Sequence, residues 1–323
     1  MTNSPAPYPL LFQPVLMPKV WGGDRLSRFG KNIAPGATIG ESWEVADLAA
    51  TSASGAGGGS VRSVIANGEL AGRTLHDAVE LWGSRLLGDA KLIEGGFPLL
   101  VKFLDARENL SVQVHPSPAF AAVHPGAKLK TECWYIMDAE PGSVIYKGVK
   151  PGVTREAFAR HIEDGTVVND LVSVPAVVGE CHNLPSGTVH ALGAGVLVAE
   201  VQTPSDTTFR VYDWGRTGRE LHVRASLECI DFGPAAPPVQ LAKGDTLRTE
   251  FFEVSQPATG AQVWLKDARC TAIMVLQGWG HVLPMTSKPM TAEAGDTILI
   301  PAAMAAGAGF APEARAKVLV AKI

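Results

Sequence analysis

The sequence has no feature that would carry the chain into or across a membrane. No stretch approaches the roughly 18 apolar residues of a membrane span. The N-terminal stretch MTNSPAPYPLLFQP has neither the basic start nor the long apolar core of a signal peptide. The formal net charge is -4 over 323 residues, which gives no general attraction for nucleic acid or anionic membranes. We therefore expect a cytoplasmic protein in which any phosphate-binding site is local.

Two familiar site motifs are also missing. The four cysteines, Cys133, Cys181, Cys229 and Cys270, are far apart, and none forms the C-x-x-C pair of a zinc knuckle or redox site. They lie in or beside apolar runs, so we expect buried free thiols. The glycine-rich residues 51–60, TSASGAGGGS, lack the lysine and the spacing of a phosphate-binding loop. They are interpreted as a surface loop.

The sequence does contain strand patterning and enough apolar residues for a large core. Hydrophobic residues make up 46% of the chain and charged residues 19%, which is typical of an ordered protein. Residues 98–105 form a nearly continuous apolar strand interrupted only by Lys102. Helical spacing of apolar residues is confined to short stretches, residues 74–87 and 154–164. A mainly β fold with a few inserted helices is therefore predicted.

One predicted strand combines a core face with a polar face. Ser111, Gln113 and His115 lie at i, i+2 and i+4, so their side chains point the same way, while the two valines between them point to the other side. Glu132 begins a second strand-like run, ECWYIM, and could add a carboxylate to the same cavity. Imidazole, carboxylate and amide oxygen are all ligands for a divalent ion of the zinc type.

A further candidate ligand follows a turn. Residues 179–190, GECHNLPSGTVH, fit the pattern G-x5-P-x-G-x-x-H, which resembles the second metal motif of the cupins and ends at His190. Together with Gln113, His115 and Glu132, this histidine completes a set of four metal ligands.

Several stretches together resemble the type I mannose-6-phosphate isomerases, particularly the short bacterial form. The matching stretches, in family order, are PLLVKFLD (98–105), LSVQVHP (110–116), KTECWY (130–135), PSGTVH (185–190) and TFRVYDW (208–214). The resemblance covers residues 10 to 230 and implies two cupin-like β-barrels, or jelly rolls. It also implies interconversion of mannose 6-phosphate and fructose 6-phosphate through an enediol-like intermediate, with one Zn2+ per chain.

The C-terminal part looks like a second cupin copy without a metal. When residues 295–306, GDTILIPAAMAA, are laid on residues 179–190, Ala303 replaces Gly187 and Ala306 replaces His190. We therefore expect a catalytic cupin domain with helical insertions at residues 1–235 and a smaller cupin-like domain at 236–323. The metal site is expected in the N-terminal barrel only.

The roles of the charged residues are less determined. Lys130 should point to the same side as Glu132, and Lys102 could enter the same cleft. Each lysine could act as a base if its pKa is lowered, or as a fixed cation if it stays charged. The resemblance implies that Arg210 is the active-site arginine and that Ser111 lies near the substrate phosphate. Without the resemblance, Arg210 would be expected to pair with Asp206 or Asp213.

Four other polar residues near these motifs receive no role. Glu41 and Glu44 could line a sugar site or belong to solvated strand faces. His124 lies in a Pro/Gly loop, and His182 precedes the turn that leads to His190. Both histidines are expected at the surface rather than among the ligands.

Two other functions fit parts of the same pattern. His115, His190 and Glu132 alone make the two-histidine, one-carboxylate set of an Fe(II) dioxygenase, although that chemistry has no need of Gln113. A non-catalytic sugar-binding protein could use the same cavity. The expected partner in the leading interpretation is a small sugar phosphate, with no nucleic acid and no membrane. The sequence does not indicate an oligomeric state.

Overall fold

The computed structural model describes residues 5–52, 57–285 and 288–323, and these residues form a mainly β fold, as predicted. Part of the predicted surface loop, residues 53–56, lies outside them. The strands are β1 (Leu10–Gln13), β2 (Val15–Gly23), β3 (Ile39–Val45), β4 (Asp47–Leu48), β5 (Val61–Arg62), β6 (Val64–Ile65), β7 (Leu100–Ala106), β8 (Val112–Val114), β9 (Glu132–Ala139), β10 (Val144–Val149), β11 (Leu171–Pro175), β12 (Cys181–Leu184), β13 (His190–Leu192), β14 (Val196–Gln202), β15 (Phe209–Tyr212), β16 (Thr246–Arg248), β17 (Glu253–Ser255), β18 (Val263–Trp264), β19 (Thr271–Gln277), β20 (Trp279–Leu283), β21 (Met290–Glu293), β22 (Thr297–Ile300), β23 (Gly309–Pro312) and β24 (Lys317–Lys322).

The helices are short and lie between the strands. The α-helices are α1 (Leu75–Trp82), α2 (Ser84–Leu87), α3 (Pro118–Val123), α4 (Arg155–Glu163), α5 (Val223–Cys229) and α6 (Ala302–Ala305), and the 3-10 helices span Arg25–Phe29, Val167–Asp170 and Leu241–Lys243. The predicted helix at residues 74–87 is split, because Gly83 has φ 51° and ψ -122° and separates α1 from α2. Thr74 caps α1 and accepts a hydrogen bond from the backbone N–H of Asp77.

Two sheets form the first layered unit. The six-stranded sheet has the order β12-β9-β14-β7-β2-β3, and the five-stranded sheet has the order β11-β10-β13-β8-β15. Their shared core contains Trp134 and Ile136 from β9 together with Ile145 and Leu192 from the other sheet. Because side chains alternate along a strand, Trp134 faces this core while its neighbour Tyr135 faces the opposite side.

Two further sheets form the second unit. The seven-stranded sheet has the order β16-β17-β24-β19-β22-β1-β6, and the four-stranded sheet has the order β18-β23-β20-β21. Ile273, Val282 and Phe310 belong to the core between them. Strand β1 comes from the N-terminal segment of the chain but pairs with β22, with Leu10 opposite Leu299.

The two units meet through a third and larger core. Phe103 and Tyr135 from the six-stranded sheet pack in the same cluster as Met274 and Leu299 from the seven-stranded sheet, and Trp82 of α1 joins them. The six-stranded sheet is therefore covered on both faces. The four cysteines are free and buried, as expected. No helix among the described residues is long and apolar enough to cross a membrane.

A buried ion pair lies at the junction of the units. Lys31 Nζ is 2.8 Å from Glu44 Oε2 and donates to the backbone carbonyl of Gly295 at 2.9 Å. The other carboxylate oxygen of Glu44 accepts from the Ser42 hydroxyl at 2.6 Å. Both members of the pair are buried, so each depends on the other for charge compensation.

We expect Lys31→Met to lower the free energy of unfolding by roughly 3 to 5 kcal/mol, because it leaves the Glu44 carboxylate buried without its cation. The matched control is Lys128→Gln, which breaks the exposed Lys128–Glu94 pair and should change stability by less than about 1 kcal/mol. Denaturant unfolding of both variants measures the difference. Equal stabilities would show that the buried pair does not support the junction.

Candidate active site

Three side chains from separate segments of the chain meet in the first unit, with His115 directly after β8, Glu132 at the start of β9 and His190 at the start of β13. Nε2 of His115 lies 3.3 Å from Glu132 Oε2, and Nε2 of His190 lies 3.1 Å from Glu132 Oε1. All three are fully buried or nearly so, and one potential ligand atom from each lies within 4.8 Å of the other two. A turn helps to place them. Gly187 has φ 90°, which favours glycine, and its N–H donates to the carbonyl of His115 at 3.1 Å.

The Nδ1 atoms of the two histidines form hydrogen bonds with backbone carbonyls, which fix the orientation of the rings. Nδ1 of His115 lies 3.0 Å from the carbonyl oxygen of Thr207, and Nδ1 of His190 lies 2.8 Å from that of Thr188. Because only a protonated Nδ1 can donate to a carbonyl, each ring in its neutral form turns an unprotonated Nε2 toward Glu132. This is the arrangement that supports metal-binding histidines.

The centre of the cluster fits a divalent cation. His115 Nε2 and Glu132 Oε1 have no hydrogen-bond partner among the described residues, although both are buried. Buried polar atoms are normally satisfied, and two such acceptors facing one point suit an ion held between them. Gln113 lies opposite His190 across the strands, and its amide nitrogen is 3.2 Å from His190 Nε2. A 180° rotation of the amide exchanges its nitrogen and oxygen, and the oxygen would then face the cluster as a fourth metal ligand.

A polar cavity of about 250 Å³ opens beside the cluster. Five of the residues given a role from the sequence line it, namely Lys102, Ser111, Gln113, Lys130 and Arg210. Sequence reasoning missed Lys19, Glu200 and Arg219, which line it as well. The strand pairing of β7 and β14 places Glu200 opposite Lys102, but this pairing is not readable from either stretch alone.

Lys102 is held as a cation. Its Nζ lies 3.0 Å from Glu200 Oε1 and 3.6 Å from Glu41 Oε2, donates to Gln202 Oε1 at 2.8 Å and lies 5.0 Å from the centre of a Trp43 ring. Burial alone would lower the pKa of Lys102, but the charges of Glu200 and Glu41 outweigh it and raise the pKa above its ordinary value. A lysine in this state is suited to hold charge rather than to accept a proton.

Lys130 approaches the cluster itself. Its Nζ lies 2.7 Å from Glu132 Oε2, which agrees with the prediction that the two side chains share a side. The side chain is buried and also lines the cavity. Lys130 therefore lies between the candidate metal ligands and the space open to a small molecule.

The two glutamates of β3 have different surroundings, and neither lies on a solvated face. Glu41 lines the cavity, while Glu44 points the opposite way into the ion pair with Lys31. Burial would raise the pKa of Glu41, but Lys19, Lys102 and a hydrogen bond from Trp43 outweigh it and lower the pKa to about 2. Glu41 thus stays ionised and balances the cations of the cavity.

Arg210 is held by backbone rather than by a carboxylate. Its Nη1 donates to the carbonyl oxygen of Glu220 at 2.7 Å, while its buried Nε has no partner among the described residues. Asp213, one of the partners considered from the sequence, instead forms ion pairs with Arg216 and Arg219. The guanidinium of Arg210 therefore keeps donor capacity at the cavity wall.

The chain is similar to several known proteins. Residues 10–150 match the model of the phosphomannose isomerase type I catalytic domain. The chain is 40% identical over 235 residues to mannose-6-phosphate isomerase ManA of Bacillus subtilis strain 168, which covers 71% of this chain and 70% of that protein. It is 38% identical over 234 residues to the mannose-6-phosphate isomerase of Streptococcus mutans, with 71% and 69% covered. A crystal structure of the Bacillus subtilis mannose 6-phosphate isomerase superposes with a TM-score of 0.82 at 28% identity and covers 98% of this chain and 99% of that one.

The two histidines that were expected at the surface differ in their exposure. His124 is exposed, with its ring stacked on Phe120, as predicted. His182 is fully buried, so the prediction of a surface position is wrong for this residue. It pairs with Trp134 across β12 and β9, and strand alternation places it on the same side as the buried Leu184. Neither nitrogen of His182 has a hydrogen-bond partner among the described residues.

His182 should make stability depend on pH. Burial, and secondarily the charge of Lys147, lower the pKa of His182 to about 4, whereas the unfolded chain should titrate near its usual value of about 6.5. The unfolded state therefore binds more protons between these two values, and stability falls as the pH drops from 6.5 to 4. This contribution should reach about 3 kcal/mol.

His182→Leu removes this proton site, so its unfolding free energy relative to the unsubstituted protein should rise by up to about 3 kcal/mol between pH 7 and pH 4. Denaturant unfolding across that range measures it. His124→Leu changes an exposed ring and serves as the control, with a curve parallel to that of the unsubstituted protein. If the His182→Leu curve is parallel too, the buried ring is not the cause.

Proposed function

This chain belongs to the type I phosphomannose isomerases, and on that premise we propose that it interconverts mannose 6-phosphate and fructose 6-phosphate. The observation that carries the proposal is a buried cluster of His115, Glu132 and His190 beside a polar cavity of about 250 Å³. That cavity is lined by fixed cations, which suits an anionic sugar and the negative charge that develops on an enediol-like intermediate.

The proposed cofactor is one Zn2+ per chain. His115, Glu132 and His190 would supply three ligands, and Gln113 would supply the fourth through its amide oxygen. Neutral imidazoles and a carboxylate are the donor types that zinc prefers. A bound ion of this kind would polarise a sugar hydroxyl or carbonyl without changing its oxidation state.

The remaining catalytic and binding roles are assigned to residues around the cluster. Arg210 cannot readily lose its proton, so it is assigned to the charge that develops on the sugar oxygens. Lys102 stays charged between two carboxylates and is assigned to substrate binding together with Ser111. Proton transfer between C2 and C1 is then assigned to Lys130, because Lys102 is unsuited to accept a proton. The hydroxyl of Ser111 suits a phosphate oxygen.

The architecture is proposed to be two cupin-like barrels. The first, within residues 1–235, carries the site, and the second, within residues 236–323, is proposed to hold no metal. In support, β22 and Pro301 correspond to β12 and Pro185, but Ala306 stands where the first unit has His190. Among the described residues, the one group of histidine, cysteine or carboxylate side chains close enough to hold an ion is that of His115, Glu132 and His190. A cytoplasmic location is part of the same proposal.

One experiment separates this function from the two alternatives. Purified protein is analysed for metal content and assayed with mannose 6-phosphate, with oxygen uptake followed in parallel. Zinc with isomerisation supports the proposal. Iron with oxygen uptake would instead indicate a dioxygenase, and sugar binding without turnover would indicate a binding protein.

We expect His190→Ala and Glu132→Gln each to lose metal and turnover together, while circular dichroism shows a retained fold because the apolar cores between the sheets do not depend on the ion. The unsubstituted protein should hold one ion per chain. His281→Ala in the second unit is the matched control and should keep full metal and activity. A second ion bound within residues 245–323, or full turnover in the ligand variants, would contradict the assignment.

Arg210→Ala should lower kcat by about a hundredfold, which is near the effect of losing one preorganised donor to a developing oxyanion. Metal content should stay unchanged, since Arg210 is not among the proposed ligands. A variant that only binds substrate more weakly would indicate phosphate binding instead. A variant that melts earlier but keeps its turnover would indicate a structural role. Steady-state kinetics, metal analysis and a melting curve distinguish these outcomes.

A further inference from the structure

The backbone of Arg210 is held from outside its sheet by a single histidine. The N–H of Arg210 donates to Nδ1 of His222 at 3.2 Å, and the N–H of His222 donates to the carbonyl oxygen of Arg210 at 2.8 Å. The Arg210 side chain contacts the same segment through the carbonyl of Glu220. Both the backbone and the guanidinium of Arg210 are therefore bound by residues 220–222.

The position of Arg210 in the sheet explains why this support is needed. Strand β15 is the last strand of the five-stranded sheet and pairs only with β8 on one side. The register between the two strands shifts directly after Arg210, so the regular ladder is interrupted at the candidate catalytic residue. On the open edge, Nδ1 of His222 accepts the hydrogen bond that a carbonyl of a further strand would otherwise accept from Arg210. The backbone N–H of His222 makes the second hydrogen bond, to the carbonyl oxygen of Arg210.

The ring must be neutral to accept this hydrogen bond, since a protonated imidazole has no acceptor. Burial lowers the pKa of His222, and the charge of Arg210 acts in the same direction while Glu220 opposes it. The surroundings thus favour the neutral ring that the geometry requires. No side-chain capping bond is made by His222 to α5, although it stands at the N-terminal end of that helix.

The segment that carries His222 is itself fixed. Asp213 is buried and pairs with both Arg216 and Arg219. Arg216 also donates to the carbonyl oxygen of Asn109 at 2.8 Å, which ties the loop to the start of the strand that carries Gln113. Residues 213–222 therefore form a closed loop whose end returns to Arg210.

We propose that His222 is a positioning residue for catalysis, which sets the main chain of Arg210 so that its guanidinium faces the reacting oxygens. This inference rests on the proposed isomerase function and on the assigned role of Arg210. It differs from a general stabilising role, because its effect should pass through Arg210 and should depend on an acceptor at the Nδ1 position.

Two substitutions at this position separate the acceptor from the ring. In His222→Asn, the side-chain oxygen can occupy nearly the position of Nδ1, whereas His222→Phe keeps an aromatic ring and removes the acceptor. We expect His222→Phe to lower kcat about tenfold, the effect of one misplaced hydrogen bond, with KM changed by less than about twofold. His222→Asn should stay within about threefold of the unsubstituted enzyme.

The control is Arg224→Gln on the same helix, whose side chain is largely exposed and lies outside the proposed site, so its kinetics should not change. Metal content and melting temperature are measured for every variant. If His222→Phe has the kcat of the unsubstituted enzyme, or if the Asn and Phe variants lose activity equally, the proposal is overturned. An absence of isomerase activity in the unsubstituted protein would instead refute the proposed function.

A double-variant cycle tests whether the effect passes through Arg210. In the Arg210→Ala background, His222→Phe should cause no further loss in kcat, because the group that it positions is already gone. Equal fold-losses in both backgrounds would show that His222 acts independently and would overturn the proposal. If His222→Phe fails to fold, the same cycle is run with His222→Gln. The glutamine side chain is longer and places its oxygen away from the Nδ1 position, so the same outcomes support or overturn the proposal.

Discussion

The site depends on burying the carboxylate of Glu132 among groups that can balance its charge. Burial would raise its pKa, but the charge of Lys130, whose Nζ lies 2.7 Å away, outweighs that effect, so the pKa of Glu132 lies well below its ordinary value. An ionised carboxylate with no exposure to water is stable only where cations or donors surround it. The placement of Lys130 beside Glu132 is therefore a condition for the carboxylate to be buried at all.

A second set of charges connects the cavity with this cluster. Lys102 lies between Glu41 and Glu200, and the other oxygen of Glu200 accepts from the indole N–H of Trp134 at 2.7 Å. The Trp134 ring in turn meets the His190 ring edge to face, with the ring centres 5.2 Å apart. A change at Lys102 would therefore act on the substrate cavity and, through two contacts, on the orientation of a proposed metal ligand.

The sequence predicted those features that depend on residues close together in the chain, and it missed those that depend on residues far apart in the chain. Alternation within one strand placed Ser111, Gln113 and His115 on one side, and a turn motif predicted the position of His190. The role of Glu200 could not be predicted, because its contact with Lys102 depends on a strand pairing between residues 98 apart in sequence. His182 was wrongly placed because the polarity of a single residue was given more weight than the alternation of its strand.

The same limits apply to the fold, and two residues of the site are held in different ways. The sequence predicted a mainly β chain, but the pairing of β1 with β22 links distant segments and leaves no local signal. Glu132 lies on the six-stranded sheet, which is covered on both faces by apolar cores, so its position can change only if two cores repack. Arg210 lies on the edge strand β15, and its free side is held by hydrogen bonds from residues 220–222. Packing therefore fixes the proposed metal ligand, whereas the hydrogen bonds of one loop fix the proposed catalytic arginine.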